Sequence, residues 1–124
     1  MSITDPVIVI IDDENDILSM LEKYLTRQCG YKVKTYNNPV TALSSINQET
    51  DLVLLDVMMP QMNGLDLLPK LLEKNPDLKV IIMTAYSTLD KVLNAHRKGA
   101  TNYIMKPFSS LNELEKKIDD MLKA

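Results

Sequence analysis

The sequence predicts an α/β fold: a single-domain, doubly wound (βα)5 unit around a five-stranded parallel sheet of strand order 2-1-3-4-5. Three observations predict it. Five short apolar runs alternate with five helix-like segments. The first, third and fourth runs are nearly continuous in Val, Ile and Leu, as in strands buried on both faces of a parallel sheet. The length, 124 residues, suits one domain that buries enough surface to fold without disulfides.

Taken in order, the strands are VIVII (7–11), KVKTY (32–36), DLVLL (51–55), LKVIIM (78–83) and TNYIM (101–105). The second places Lys32 and Lys34 on one side, which suits an edge. The first helical stripe is Ile17, Leu18, Leu21 and Leu25. The second segment, 39–48, is the weakest, with Asn38 as N-cap and Pro39 at its first position. The third supplies Leu68, Leu71 and Leu72, but Pro69 lies inside it and should kink it unless it falls in the first turn. Leu89, Val92 and Leu93 form the fourth stripe, and Leu111, Leu114, Ile118, Met121 and Leu122 the fifth. Gly30 and Gly99 follow helical segments as left-handed C-caps, and Gly64 closes a loop before the third helix. Alternating strands and helices of this kind make right-handed crossovers, and the expected order is the flavodoxin-like one.

Composition narrows the function classes. A net charge of −3 and a pI near 5.1 argue against direct nucleic-acid binding. No run approaches the ~20 apolar residues of a membrane span, and the early apolar run leads into Asp12, Asp13 and Glu14 rather than a cleavage site. The single Cys29 has no internal bridge partner, which fits a cytoplasmic location, and its expected role is packing at a helix end.

In a sheet of this order, ligands bind beyond the carboxyl ends of the strands. The residues there are Asp12 and Asp13 after strand 1, Asp56 after strand 3, Thr84 after strand 4 and Lys106 after strand 5. The end of strand 2, Tyr36-Asn37-Asn38, is expected to stay outside the site. Three carboxylates beside one ammonium leave a local charge of about −2, a conflict that raises a pKa or calls for a cation. Oxygen donors without His or Cys favour Mg²⁺, Mn²⁺ or Ca²⁺ over zinc. Mg²⁺ keeps open positions that a phosphoryl oxygen fills. Asp56 then suits a carboxylate nucleophile, Lys106 a point charge for a phosphoryl oxygen and Thr84 a hydrogen-bond donor.

With DD at 12–13, DVMMPQMNG at 56–64, TAY at 84–86 and KP at 106–107, the chain resembles the receiver domain of two-component response regulators, the CheY-like superfamily. The resemblance covers the whole chain, so residues 1–124 are read as one receiver domain. It implies that Asp56 is the phosphoacceptor. It implies a Mg²⁺ site of Asp12, Asp13, Asp56 and the Met58 backbone carbonyl, with Asp13 in direct contact and Asp12 through water. Lys106 would pair with Asp56 and then with the phosphoryl group. Thr84 and Tyr103 would relay the change to the face of the fourth helical segment, strand 5 and the fifth helical segment. The Lys106–Pro107 bond would be cis. The implied partners are a sensor histidine kinase or histidine phosphotransfer protein, and a downstream effector protein or domain. The chemistry would be self-phosphorylation and self-dephosphorylation only, not that of a turnover enzyme. Met58 cannot orient an attacking water and Tyr86 is bulky, so slow dephosphorylation is expected.

Other readings compete at each point. An acidic pair after a strand also serves as a helix N-cap, with Glu14-Asn15-Asp16 available for that task. His96 is expected to be a partly buried, satisfied side chain rather than a catalytic one. Phe108 and Leu18 suit either packing or docking of the phosphodonor, and Met58, Met59 and Met62 suit filler or a deformable contact surface. Two alternative functions remain: a Mg²⁺-dependent phosphatase with an aspartyl-phosphate intermediate, and a non-phosphorylated protein-binding module. The DDE sequence lacks the Asp-x-Asp pattern of haloacid-dehalogenase-like phosphatases. No effector unit follows the fifth helical segment within these residues, so the reading leaves open a stand-alone regulator or a piece of a longer protein.

Overall fold

The computed structural model describes residues 6–84, 94, 96–97, 99–106, 108 and 110–123. Its elements in chain order are β1 (Val7–Ile11), α1 (Asn15–Cys29), β2 (Lys32–Tyr36), α2 (Pro39–Ser45), β3 (Leu52–Asp56), α3 (Gly64–Lys74), β4 (Lys79–Thr84), β5 (Asn102–Met105) and a C-terminal helix (Leu111–Lys123). All four strand pairings are parallel, and the order is β2-β1-β3-β4-β5, as expected. β3 and β4 each end one residue later than the apolar runs suggest, so Asp56 and Thr84 are the last strand residues.

Alternation along the central strands divides the core into two layers. Val9, Ile11, Val53, Leu55, Val80 and Ile82 meet Ala42 of α2 and Leu67, Leu68 and Leu71 of α3. Ile8, Ile10, Leu52, Leu54, Ile81 and Met83 meet Leu18, Leu21 and Leu25 of α1 and Leu114, Ile118 and Leu122 of the C-terminal helix. Each such side chain contributes roughly 1.5–3 kcal/mol when fully buried, so a slip in strand register would expose a whole row. β2 alternates exposed and half-buried residues, as its lysines predict.

Local signals act as read from the sequence at several points. The Asn38 side chain accepts from the Val40 and Thr41 amides, with Pro39 beside it at the first helical position. α2 ends at Ser45, short of the expected 48, because Ile46 turns to extended backbone. Gly30 caps α1 at φ 73°, and Gly99 has φ 105°. Pro69 does not end α3, which runs unbroken from Gly64 to Lys74. Three buried leucines, Leu67, Leu68 and Leu71, hold that helix on both sides of the exposed proline.

Three expectations change. His96 is exposed, not partly buried; it precedes Gly99, whose amide donates to the His96 carbonyl. Leu18 is 6% exposed and belongs to the core, so it offers no docking surface, and half-buried Phe108 packs against the same cluster. Glu14 occupies the N-cap position of α1 but makes no side-chain cap bond. Instead its own amide donates to Asp12 Oδ1 at 2.9 Å, a local turn that fixes the chain just before the helix. Cys29 sits half-buried at the end of α1, where desolvation pushes its thiol up to about 11. Leu89, Val92, Leu93, Tyr86 and Pro107 lie outside the described residues.

Gly64 is more than loop punctuation. A Cβ there would stand 2.1 Å from the Asp56 carbonyl oxygen and 2.9 Å from Val57 Cα. Its amide donates to the Val57 carbonyl at 2.8 Å, drawing the start of α3 onto the end of β3. Gly64→Ala should therefore destabilise the fold by about 2–3 kcal/mol, in the range of forced overpacking. Gly30→Ala meets no atom within 4 Å, so it should cost only about 1 kcal/mol for its left-handed backbone. Urea unfolding of the two variants checks the order; equal losses would refute it.

Candidate functional site

The site is built on main-chain bonds just past the strand ends. The Asp12 amide donates to the Tyr36 carbonyl at 3.1 Å, Val57 to Met83 at 3.2 Å, and Lys106 to Thr84 at 2.8 Å. Each functional residue is thus tied to the neighbouring strand. The register completes the placement: Ile11 lies beside Leu55, Asp56 beside Met83, and Thr84 beside Met105. The end of β2 was expected to stay outside. Its side chains take no part among the acids, but the Tyr36 carbonyl anchors Asp12 from beneath, and Asn37 bonds to Asn15 on α1 at 3.2 Å.

Asp12, Asp13 and Asp56 converge as the strand order predicts. One carboxylate oxygen from each lies within 4.8 Å of the other two. Asp12 is fully buried, Asp56 is 4% exposed, and Asp13 is half-buried. Lys106 enters from β5, its Nζ 2.5 Å from Asp12 Oδ2, 3.5 Å from Asp56 Oδ1 and 3.6 Å from Glu14 Oε1. The tight partner is Asp12, not Asp56. Glu14, whose side chain is 61% exposed, is a third anion on this ammonium that the sequence reading missed. Its position directly after the acidic pair was the available signal.

Asp56 shares a side-chain hydrogen bond with Asp13, and the Met58 amide lies 3.4 Å from its Oδ1. Met58 itself is half-exposed and paired with Asn63 in a short antiparallel bridge carried by the Gly64–Val57 bond. In a bridge of that type the main-chain groups of Met58 face away from Asn63, which is consistent with its amide reaching Asp56. Burial, then the Asp12 charge, push the Asp56 carboxyl up to about 7, against the opposing pull of Lys106 and the Met58 amide. Burial disfavours the Lys106 charge, but the Asp12 hydrogen bond and the Asp12, Asp56 and Glu14 charges outweigh it, and its pKa is raised. A buried group of oxygen donors too negative for its own ammonium is a fitting host for a hard divalent cation.

Thr84 is buried at the end of β4, and its carbonyl accepts the Lys106 amide. Tyr103 is 38% exposed on β5, facing outward. Lys117 Nζ lies 5.1 Å from its ring centroid and donates to its carbonyl at 2.7 Å.

Residues 8–119 match the response regulator receiver domain family. The chain belongs to that family. It is a receiver domain of two-component signalling. It is 41% identical over 100 residues to the DNA-binding transcriptional regulator NtrC of Proteus hauseri, covering 80% of this chain and 21% of that protein. It is 34% identical over 115 residues to the response regulator SaeR of Staphylococcus aureus, covering 93% and 50%. The receiver domain thus spans a fifth to a half of these relatives' length. Among solved structures, a CheY-like receiver domain protein from Methanospirillum hungatei JF-1 superposes with a TM-score of 0.90 at 32% identity, covering 97% and 95% of the two chains. The BeF3-activated DrrB receiver domain superposes at 0.88 with 28% identity, covering 98% and 100%. No described helix is long and apolar enough to cross a membrane.

The raised Asp56 pKa has a signed consequence. The folded state binds the Asp56 proton more tightly than the unfolded chain, so without divalent cations the Asp56 contribution to stability falls as pH rises from about 4 to about 7. Asp56→Asn removes that penalty. At pH 8 without metal the variant should be more stable than wild type, by on the order of 2–4 kcal/mol, the upper figure being the whole shift from 3.8 to about 7 at about 1.4 kcal/mol per pKa unit. The advantage should shrink towards pH 4. Chemical unfolding at a series of pH values tests this; a less stable variant at pH 8 would refute it.

Proposed function

We propose that this receiver domain is a phosphorylation-activated switch in which Asp56 takes a phosphoryl group from a phosphohistidine of a sensor histidine kinase or histidine phosphotransfer protein. The carrying observation is the burial of Asp56 against Asp12, Asp13 and the Lys106 ammonium at the carboxyl end of β3. Asp12, Asp13, Asp56 and the Met58 carbonyl would hold Mg²⁺ or Mn²⁺. Bound there, the cation neutralises phosphoryl oxygens and aligns them with the attacking carboxylate.

An Asp56 oxygen attacks phosphorus, the P–N bond to the donor imidazole breaks, and the imidazole nitrogen keeps the electron pair. The product is an acyl phosphate. Lys106 supplies a positive charge to the transferred group, and Thr84 supplies a donor. Hydrolysis later returns the carboxylate and inorganic phosphate. Nothing in this cycle turns over an external substrate catalytically, so the domain acts as a switch rather than an enzyme. Mainly alignment and charge neutralisation are needed, and these residues provide both.

The new charge biases a two-state equilibrium. Thr84 moving towards the phosphoryl group leaves space for Tyr103, now outside under Lys117, to turn inward. The altered face, around β5 and the C-terminal helix, meets a downstream effector protein or domain. A BeF3-activated form of the similar DrrB domain supports this reading.

Incubation with Mg²⁺ and acetyl phosphate should add one acid-stable, base-labile phosphoryl group, lost in Asp56→Asn and on chelation of the metal. Mass spectrometry and phosphate release check it. Release of many equivalents would favour the phosphatase reading, and no labelling would favour a binding module. Phosphoryl decay should be faster in Met58→Asn, whose amide can orient water. An unchanged or slower decay would remove Met58 as a determinant of lifetime.

A further inference from the structure

We propose that Glu14 is a specificity-determining positioning residue: its carboxylate beside the Lys106 ammonium disfavours small anionic phosphodonors relative to a phosphoryl group carried on a protein. The proposal rests on the phosphoacceptor reading of Asp56. Lys106 is the one cation within ion-pair distance of this acidic cluster among the described residues, and it is shared three ways. Asp12 and Asp56 are buried and cannot give up the ammonium cheaply. The Glu14 side chain, 61% exposed, stands on the solvent side. A donor entering from water therefore meets the Glu14 charge before the ammonium can help it.

Two ties place that carboxylate. Its amide is held by Asp12 Oδ1 at 2.9 Å, and its Oε1 lies 3.6 Å from Lys106 Nζ. The side chain makes no cap bond, which leaves its carboxylate to face Lys106. A free dianion pays the full repulsion on approach. A phosphohistidine delivered by a docked protein offsets that repulsion with contacts made elsewhere. Removing the charge should thus help the small donor, and more so the more negative that donor is.

The test compares wild type, Glu14→Gln and Glu14→Asp in labelling rate, at saturating Mg²⁺ so that changed metal affinity does not enter. The donors are dianionic acetyl phosphate and singly charged phosphoramidate. Glu14→Gln should label with acetyl phosphate roughly threefold faster at low ionic strength, with a smaller gain for phosphoramidate, and both gains should vanish near 1 M salt. Glu14→Asp, which keeps the charge, should stay close to wild type. Equal changes for both donors, a salt-independent gain, or Glu14→Asp matching Glu14→Gln would overturn the proposal and leave Asp56 as phosphoacceptor intact. A wild-type protein that accepts no label overturns both.

Discussion

The Lys106 ammonium standing over two buried carboxylates is the constraint on which this domain turns. Asp12 is fully satisfied: one oxygen holds the Glu14 amide at 2.9 Å and the other meets Lys106 at 2.5 Å. Asp56 meets the Met58 amide at 3.4 Å and Lys106 only at 3.5 Å, and shares a side-chain hydrogen bond with Asp13. The same charge neighbourhood therefore treats the two carboxylates differently: Asp12 holds the ammonium closely and Asp56 loosely. Removing one partner of the Asp12–Lys106 pair would strand a buried charge, at a cost of several kcal/mol, while engaging Asp56 relieves a conflict.

That conflict is built into the fold rather than spread over flexible side chains. The acids arrive on adjacent central strands whose apolar faces are fully buried, so they cannot separate without exposing the core. Gly64 tightens the arrangement from the other side, since only a residue without Cβ lets α3 begin against the Asp56 carbonyl. Local destabilisation sustained by surrounding packing is a common feature of functional sites. Here burial and the Asp12 charge hold the Asp56 carboxyl well above the ordinary carboxylate range.

Much of this was legible in the sequence, for identifiable reasons. The five strands declared themselves through apolar runs, and their order followed from the βα alternation. The acids, Thr84 and Lys106 could be grouped because parallel strands deliver their carboxyl ends to one edge. What escaped was finer than one residue in register or depended on distance. No pattern says that Lys106 prefers Asp12 to Asp56, since both acids are within its reach. Glu14 read as a capping residue, and its side chain turned to Lys106 instead. The support from Tyr36 is a backbone carbonyl, which carries no residue-type signal. Pro69 argued for a kink on local grounds, but three buried leucines outweighed it. His96 failed for a different reason: one helical spacing was too little to fix a face.

Packing also says where a change at the site can travel. β1, β3 and β4 are buried along nearly their whole length, whereas β5 is an edge strand in which Ile104 alone is buried. Lys106 follows directly on β5, and Tyr103 and Met105 of that strand are 38% and 48% exposed. A pull on the Lys106 ammonium is therefore resisted least along its own strand. Lys117 already clasps Tyr103 through ring and carbonyl, so a shift of β5 must alter a contact with the C-terminal helix. The buried centre of the sheet holds the charges in place, and the exposed edge strand β5, next to Lys106, is where they can be answered.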